Sequence, residues 1–258
     1  MANCKTEKEL IHMREAGRIV ALAHDAVRKE IKPGISTKHL NKIVVNVIIS
    51  HGASPSFKGL YGFPAATCIS VNSVLVHGIP DDTILKDGDV VSVDIGACSH
   101  GYHGDSAWTY AVGTVSEDVE KLMKITEQSL YEGLKQAKPG NRLTDISHAI
   151  GEYVFSHGFS IPRDFSGHGI GTKVHEEPSV PNFGPSGKGI LLKEGMTFAI
   201  EPMVLMGKPH VRTLKDGWGV VSKDGKATAH YEHTIVITHD GYEILTTLID
   251  KEDCQKNG

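Results

Sequence analysis

The sequence lacks the features that are typical of membrane-spanning, secreted and nucleic-acid-coating proteins. It contains no apolar run of the roughly 20 residues needed to cross a bilayer, and its opening, MANCKTEKEL, is too polar for a signal peptide. The formal net charge of the 258 residues is only −4, which argues against an extended basic surface for nucleic acids or anionic lipids. We therefore expect a cytoplasmic protein that interacts with neither membranes nor nucleic acids.

Cysteine is also scarce. Cys4, Cys68, Cys98 and Cys254 are scattered along the chain, and no two of them form a C-x-x-C pair. This distribution is typical of free thiols in a reducing compartment rather than of a disulfide framework. It again favours the cytoplasm.

What the chain does contain is an internal duplication. The segment LKEGMTFAIEPMV, residues 192–204, matches LKDGDVVSVDIGA, residues 85–97, and aligns Glu201 with Asp94, 107 positions earlier. The helix-end signals K-P-G and S-H-G each recur 106 positions later. Such signals are common by themselves, but they would not reproduce the spacing to the acids. The repeat predicts one catalytic domain over residues 1–258, built from pseudo-symmetric halves of about 7–115 and 116–250.

The local patterns predict an α+β fold. Thr6 and Glu9 have capping-box spacing at the start of a helix that ends before Pro33-Gly34, and a second helix is expected at about 37–50. The short spacing between the acid-bearing strands favours antiparallel pairing. Apolar residues expected on one face of the first helix are Ile11, Ala16, Ile19, Val20, Ala23 and Val27.

Four acids occupy repeat-related positions. Asp94 is expected to end one strand and Asp105 to open the next, while Glu201 and Glu232 do the same in the second half. Small residues flank each of them and leave room in front of the carboxylate. If the two halves pack face to face, these four carboxylates converge.

Converging carboxylates need a source of positive charge. Mutual repulsion and desolvation would otherwise raise their pKa values or unfold the site. Two divalent cations would cancel the formal negative charge of the four carboxylates. Oxygen ligands with one imidazole suit Mn²⁺, Fe²⁺, Co²⁺ or Zn²⁺, and the sequence does not select one of them. His168 is the candidate fifth ligand, because Gly167 and Gly169 let the backbone approach closely. A single acid at a strand end is more often simply solvated, but four in repeat-related positions favour a metal centre.

These residues, with the motifs HGIPDD, HGYHGD, SGHGIG and YEHTI, closely resemble type I methionine aminopeptidases from about residue 5 to residue 248. The resemblance implies the pita-bread fold, a curved antiparallel sheet covered by helices, and removal of the initiator methionine when the second residue is small. The interval from Glu201 to Glu232 is too short for the helical insertion of type II enzymes. With no N-terminal zinc-binding extension, the minimal bacterial form is expected.

The resemblance also implies roles for individual residues. Asp94 would bind one cation, Asp105 and Glu232 would bridge both, and His168 and Glu201 would complete the second site. Glu201 would also act as general base. Two further residues, His77 and His175, would hold the peptide and stabilise the oxyanion. An ordinary histidine is the alternative for each; the H-G-I at His77 echoes the one at His168 and favours function, whereas His175 depends on the family match.

A methionine pocket and a structural Na⁺ or K⁺ site follow from the same resemblance. Phe63, Cys68 and Trp218 would line the pocket, although core packing explains each of them equally well in isolation. The monovalent cation would lie at Asn72, Val74 and Thr228.

Three positions depart from the family pattern. Gly96 stands where many relatives have a threonine, Leu60 replaces a common pocket tyrosine, and His230 replaces a glutamine. These departures leave the chemistry in place but put the pocket shape and the metal affinity in doubt.

The alternatives are an X-Pro dipeptidase or aminopeptidase P, a catalytically inactive binding module, and a thiol hydrolase using Cys68 or Cys98. The first usually carries an extra domain, the second loses metal ligands that are present here, and the third finds no support in the sequence. The expected partners are the N-termini of nascent polypeptides, with ribosome association compatible with this activity, and the protein is expected to be a monomer.

Overall fold

The computed structural model describes residues 4–248, so Cys254 lies outside the described part of the chain. Thr6 and Glu9 form the predicted capping box: the Glu9 carboxylate accepts from the Thr6 backbone N–H at 2.7 Å, and the Glu9 N–H donates to Thr6 Oγ1 at 3.4 Å. The second helix has the predicted bounds. The α-helices are α1 (Glu7–Glu30), α2 (Thr37–Ser50), α3 (Glu117–Leu134) and α4 (Leu143–Ser156).

The buried face of α1 differs from the prediction at one position. Ile11 is 56% exposed, whereas Leu10 and Met13 are buried. With about 3.6 residues per turn, Leu10, Met13, Ala16 and Val20 fall on one stripe, and Ile11 lies about 100° beyond Leu10, the residue at the edge of that stripe. The prediction for Ile11 is therefore wrong, and Ala16 and Val20 are buried as predicted.

Every strand pairing within residues 4–248 is antiparallel. The strands are β1 (Ser54–Pro55), β2 (Thr67–Val71), β3 (Val74–Val76), β4 (Val90–Ser99), β5 (Tyr102–Ala111), β6 (Ser166–Gly169), β7 (Glu176–Pro181), β8 (Thr197–Ile200), β9 (Met203–Leu205), β10 (Val211–Thr213), β11 (Val220–Ser222), β12 (Thr228–His230), β13 (His233–Ile237) and β14 (Tyr242–Ile244). Together with the helices they confirm the α+β class. In the same part of the chain, no helix is both long and apolar enough to span a membrane.

In the first half, β4 is the central strand, with β5 along one side and β2 and β1 along the other. The turn between β4 and β5 is only His100-Gly101, and both residues have positive φ, 51° and 81°. Two-residue turns of this kind match the twist of the flanking strands and let them pair up to the turn. Asp94 and Asp105 therefore lie within strands, and the prediction that they mark strand ends is wrong.

The second half repeats this plan. A five-stranded sheet has the order β14-β13-β8-β6-β7, and α3 and α4 pack on it through a core that includes Leu130, Ile146 and Phe198. Glu201 directly follows β8 and Glu232 directly precedes β13, as predicted. In the first half, α1 and α2 likewise pack on the sheet through a second buried apolar cluster.

The two halves adjoin through their acid-bearing strands. The Asp105 backbone N–H donates to Thr234 Oγ1 at 2.9 Å, the Glu232 N–H donates to the Ala107 carbonyl at 2.8 Å, and Ser106 Oγ donates to the Glu232 carbonyl at 2.6 Å. Strand β3 of the first half also pairs with β11 of the second. These contacts bring the faces that carry the acids together.

Candidate active site

A cavity of about 590 Å³ lies where the two halves meet, and all five predicted metal ligands line it. His168 Nε2 is 3.5 Å from Glu201 Oε1 and 4.0 Å from Asp105 Oδ2. Asp105 and Glu232 are only 3% and 2% exposed. The structure therefore brings together the four acids that the repeat predicts and His168, the candidate fifth ligand, from β4, β5, β6 and the ends of β8 and β13.

The four acids resist ionisation in this environment. Burial, reinforced by the neighbouring Glu201, raises the pKa of Asp94 to about 7, although His230 nearby opposes the rise. Burial also raises the pKa of Asp105, Glu201 and Glu232 well above the usual range, and for Asp105 and Glu232 the neighbouring acids add to the effect. Like-charged groups this close and this dry favour a shared cation.

Unsatisfied oxygens lead to the same conclusion. Asp94 Oδ1, Asp105 Oδ1 and Glu232 Oε1 are buried and have no hydrogen-bond partner. Buried polar atoms are otherwise almost always paired. Asp105, His168 and Glu232 can each offer one ligand atom within 4.8 Å of the others. The donor set of carboxylates and an imidazole fits a divalent metal centre.

The orientation of His168 suits a ligand. Its Nδ1 lies 2.9 Å from the Gly169 carbonyl oxygen. A carbonyl can only accept, so Nδ1 carries the proton and the Nε2 lone pair faces the acids. Burial lowers the pKa of His168 to about 4, which keeps the ring neutral. A Cβ at Gly167 would collide with the Ala199 carbonyl, so the close backbone approach predicted for this glycine is present.

His77 and His175 face the same cavity. His77 directly follows β3 with φ of 59°, and burial lowers its pKa to about 4. The His175 ring stands edge to face against His168, with 4.5 Å between centroids, and stacks on Tyr61 at 5.7 Å. Burial lowers the pKa of His175 as well. Both imidazoles are therefore neutral and can donate a hydrogen bond into the cavity.

One wall of the cavity is apolar. Phe63 and Trp218 meet edge to face at 5.1 Å between ring centroids, and the buried Cys68 lies in the same cluster. Burial raises the pKa of the Cys68 thiol well above its usual range, and the negative charges of the nearby acids add to this effect. A thiol in that state is a poor nucleophile, which argues against the thiol hydrolase.

Several lining residues escaped the sequence analysis, namely Phe57, Tyr61, Phe165 and Met203. Only Tyr61 carried a usable signal, because it adjoins Leu60, the position that departs from the family tyrosine. Leu60 and Tyr61 both line the cavity, and Tyr61 adopts φ of 51°. An aromatic ring thus remains at the mouth of the pocket.

The glycine at position 96 has a packing explanation. A Cβ there would lie 2.7 Å from the Phe57 ring and 2.8 Å from Ser56 Cβ. Phe57 and Ser56 therefore fill the space that a threonine side chain would need. Gly96 on β4 is the cross-strand partner of Asp105 on β5. Phe57 and Ser56 therefore pack next to the strand pair that carries Asp105.

The predicted monovalent-cation residues are also neighbours. The Thr228 backbone N–H donates to the Asn72 carbonyl at 3.0 Å, and Thr228 Oγ1 lies 2.9 Å from the Val74 carbonyl oxygen. These oxygens already have hydrogen-bond partners, so their geometry does not demand an ion. The cation remains a prediction.

Comparison with known proteins identifies the family. The family model of metallopeptidase family M24 matches residues 11–239. Methionine aminopeptidase 1 of Bacillus subtilis (strain 168) is 58% identical over 246 residues, which cover 95% of this chain and 99% of the relative. The chain belongs to the type I methionine aminopeptidases of metallopeptidase family M24. The resemblance stated from its motifs is therefore confirmed.

The structure of this methionine aminopeptidase chain matches solved structures as well. A methionine aminopeptidase from Thermotoga maritima superposes with a TM-score of 0.95 at 46% identity, covering 96% of this chain and 100% of the other. The pita-bread fold is confirmed by that match. A prolidase from Pyrococcus furiosus reaches a TM-score of 0.79 at 25% identity, and this chain covers 66% of it. The X-Pro hydrolases therefore share the fold at a much lower similarity.

Proposed function

We propose that this protein hydrolyses the bond after an N-terminal methionine when the second residue is small, in a metal-dependent reaction on new polypeptides. One observation carries the proposal. Four acids, two of them buried and two half-buried, converge with His168 on a single cavity, and one wall of that cavity is apolar and aromatic. A metal-ligand set supplies the hydrolytic chemistry, and the apolar wall supplies a place for the methionine side chain.

The metal centre consists of Asp94, Asp105, His168, Glu201 and Glu232. We propose two divalent cations, because four carboxylates need that much positive charge, with Mn²⁺, Fe²⁺, Co²⁺ and Zn²⁺ all compatible with the donors. Such cations would supply Lewis acidity to the scissile carbonyl and make water a stronger nucleophile at neutral pH. The unpaired oxygens of Asp94, Asp105 and Glu232 are the atoms that would bind them.

Proton transfer and oxyanion stabilisation fall to three side chains. Glu201 lies on the cavity wall with both oxygens near imidazoles, and we assign it the role of general base toward the attacking water. His77 and His175 are neutral N–H donors on the same cavity. Placed there, they would hold the peptide carbonyl and stabilise the negative charge that develops on its oxygen.

Methionine selectivity would come from the apolar wall. Phe63 and Trp218 present ring edges and faces to the cavity, and a thioether makes favourable contacts with aromatic rings. Cys68 completes this wall from β2. An unbranched side chain such as methionine fills an irregular apolar slot of this kind better than a charged or β-branched one.

The setting of the reaction is also part of the proposal. We place the protein in the cytoplasm as a monomer, with one catalytic domain over residues 1–258 in halves of about 7–115 and 116–250. Its substrates would be nascent chains, which is compatible with ribosome association. A Na⁺ or K⁺ at Asn72, Val74 and Thr228 would have a structural role.

The test offers Met-Ala-Ser, Met-Leu-Ser and an Ala-Pro peptide to protein stripped by a chelator and reloaded with Mn²⁺ or Co²⁺. We expect turnover of Met-Ala-Ser only after reloading, with Met-Leu-Ser cleaved far more slowly. Preference for the Ala-Pro peptide would overturn the substrate assignment.

The variant Glu201→Ala removes the general base together with one metal ligand and leaves the apolar wall of the pocket intact. It should lose almost all turnover while still binding methionine-containing product analogues. Turnover that survives in this variant under tight chelation would overturn the mechanism.

A further inference from the structure

His230 is a buried histidine that the five-ligand metal centre leaves without a role. It ends β12, two residues before Glu232, and is 2% exposed. Thr109 holds its backbone on both sides: the His230 N–H donates to Thr109 Oγ1 at 2.9 Å, and Thr109 Oγ1 donates to the His230 carbonyl at 2.8 Å. The backbone of His230 is thereby held in place, and the residue lines the cavity.

The nitrogen that faces the acids is unpaired. His230 Nε2 lies 3.3 Å from Glu201 Oε2, but the geometry is not that of a hydrogen bond, and Nε2 has no hydrogen-bond partner. A buried nitrogen without a partner is rare and calls for an explanation. The same site also contains three carboxylate oxygens in that state.

The distances around Glu201 match those between ligands of a common cation. Its Oε1 is 3.5 Å from His168 Nε2, and its Oε2 is 3.3 Å from His230 Nε2. With metal–ligand bonds of about 2.1 Å, neighbouring ligand atoms lie roughly 3.0 Å apart in octahedral geometry and roughly 3.4 Å apart in tetrahedral geometry. Each carboxylate oxygen of Glu201 thus has one imidazole nitrogen at nearly the same distance.

From this geometry we infer that His230 is a nitrogen ligand of the metal centre and binds a divalent cation through Nε2, beside Glu201 Oε2. Glu201, His230 and Glu232 can each offer one ligand atom within 4.8 Å of the others. The inference rests on the proposed metal centre and adds a sixth ligand to it.

A second imidazole would change which cation the site prefers. Imidazole nitrogen suits Fe²⁺, Co²⁺ and Zn²⁺, whereas Mn²⁺ is better matched by carboxylate oxygen. Replacing His230 should therefore weaken Co²⁺ binding more than Mn²⁺ binding. The alternative role, a hydrogen-bond donor to Glu201, would have no such selectivity.

The decisive variant is His230→Gln, because glutamine keeps a side-chain N–H donor near Glu201 but removes the imidazole. His12, Glu15 and His100 form a separate group of ligand-type side chains. Titrations are therefore run in a His100→Asn background, since asparagine tolerates the positive φ at that position. Calorimetry of metal-free protein with Co²⁺ and with Mn²⁺ gives the two affinities.

Loss of a hydrogen-bonding partner of a ligand already costs about 10- to 100-fold in metal affinity, so loss of a ligand should cost at least about tenfold for Co²⁺. Pulsed electron paramagnetic resonance of Mn²⁺ bound to protein labelled with ¹⁵N-histidine counts the coordinated imidazoles. We expect two in the wild type and one in either His230→Gln or His168→Gln. The wild-type count requires no variant to fold.

A single coupled nitrogen in the wild type, with Co²⁺ affinity unchanged in His230→Gln, would overturn the assignment of His230 and leave the proposed metal centre standing. A wild-type protein that binds neither cation would overturn the metal centre and this inference together. Turnover is not needed for either decision.

Discussion

Replacing Asp94 with asparagine should stabilise the metal-free protein at pH 8, even though it removes a predicted metal ligand. In chelator the half-buried Asp94 lies beside other acids, and its Oδ1 atom is buried without a hydrogen-bond partner. Folding at high pH then forces a negative charge into a dry, negative site. Asparagine has nearly the same shape and carries no charge, so this penalty disappears.

The size and the sign of the effect follow from the pKa of Asp94. Burial raises it from 3.8 to about 7, a difference that corresponds to about 4 kcal/mol. Below pH of about 4 the group is protonated in the folded and the unfolded chain, so the penalty is absent. Between pH of about 4 and about 7 the unfolded chain gives up its proton while the folded protein retains it, and stability falls as pH rises. Above that range the loss is complete.

The assay is urea denaturation of wild type and Asp94→Asn in chelator at pH 5 and pH 8, with Asp82→Asn as a matched control. The Asp82 side chain is 87% exposed, so its replacement should change little. We expect a gain of roughly 1 to 4 kcal/mol for Asp94→Asn at pH 8, reduced where the new amide finds no partner, and a smaller gain at pH 5.

Added cation should stabilise the wild type more than Asp94→Asn and so reduce the difference between them. A cation at 100 times its dissociation constant stabilises the protein that binds it by about 2.7 kcal/mol, and Asp94→Asn should bind it more weakly. Equal stability of the wild type at pH 5 and pH 8 in chelator, or a less stable Asp94→Asn at pH 8, would refute the electrostatic reasoning.

Two further predictions test the packing and the chemistry of the site. Gly96→Ala should lower the free energy of unfolding by about 1–3 kcal/mol, because its Cβ would press on Phe57 and Ser56. Urea denaturation measures this loss, which should be smaller in a Phe57→Leu background. An unchanged denaturation midpoint would contradict the packing argument. His175→Ala should lower turnover about 100- to 1,000-fold. Elemental analysis should find the same cation content, because His175 contacts His168 without being a ligand. Unchanged turnover would remove His175 from the mechanism.

Much of the fold could be predicted because the signals that determine it are local. The capping box at Thr6 and Glu9 and the bounds of α2 depend on residues three or four positions apart. The strand alternation that puts Val91 and Val93 in the helix-covered core and Asp94 on the opposite face has a period of two. Where local patterns misled, as for Ile11, the apolar residue lay off the helical stripe.

The strand ends in the first half were missed for a different reason. Gly101, with the positive φ at His100, allows a two-residue turn, and the length of β4 and β5 then depends on continued pairing across the hairpin. That pairing is a property of two segments together. No single segment of the sequence carries it.

By itself, the sequence determined that two halves each carry two acids at matching places, because the repeated segments keep the same residue spacing. It also determined the family through its motifs. Only the tertiary structure decided which oxygens and nitrogens are left unpaired, that Phe57 occupies the space beside Gly96, and that Glu201 lies between His168 and His230. Those relations join residues that are tens of positions apart, and they arise only when the two sheets close on one another and exclude water from the acids between them.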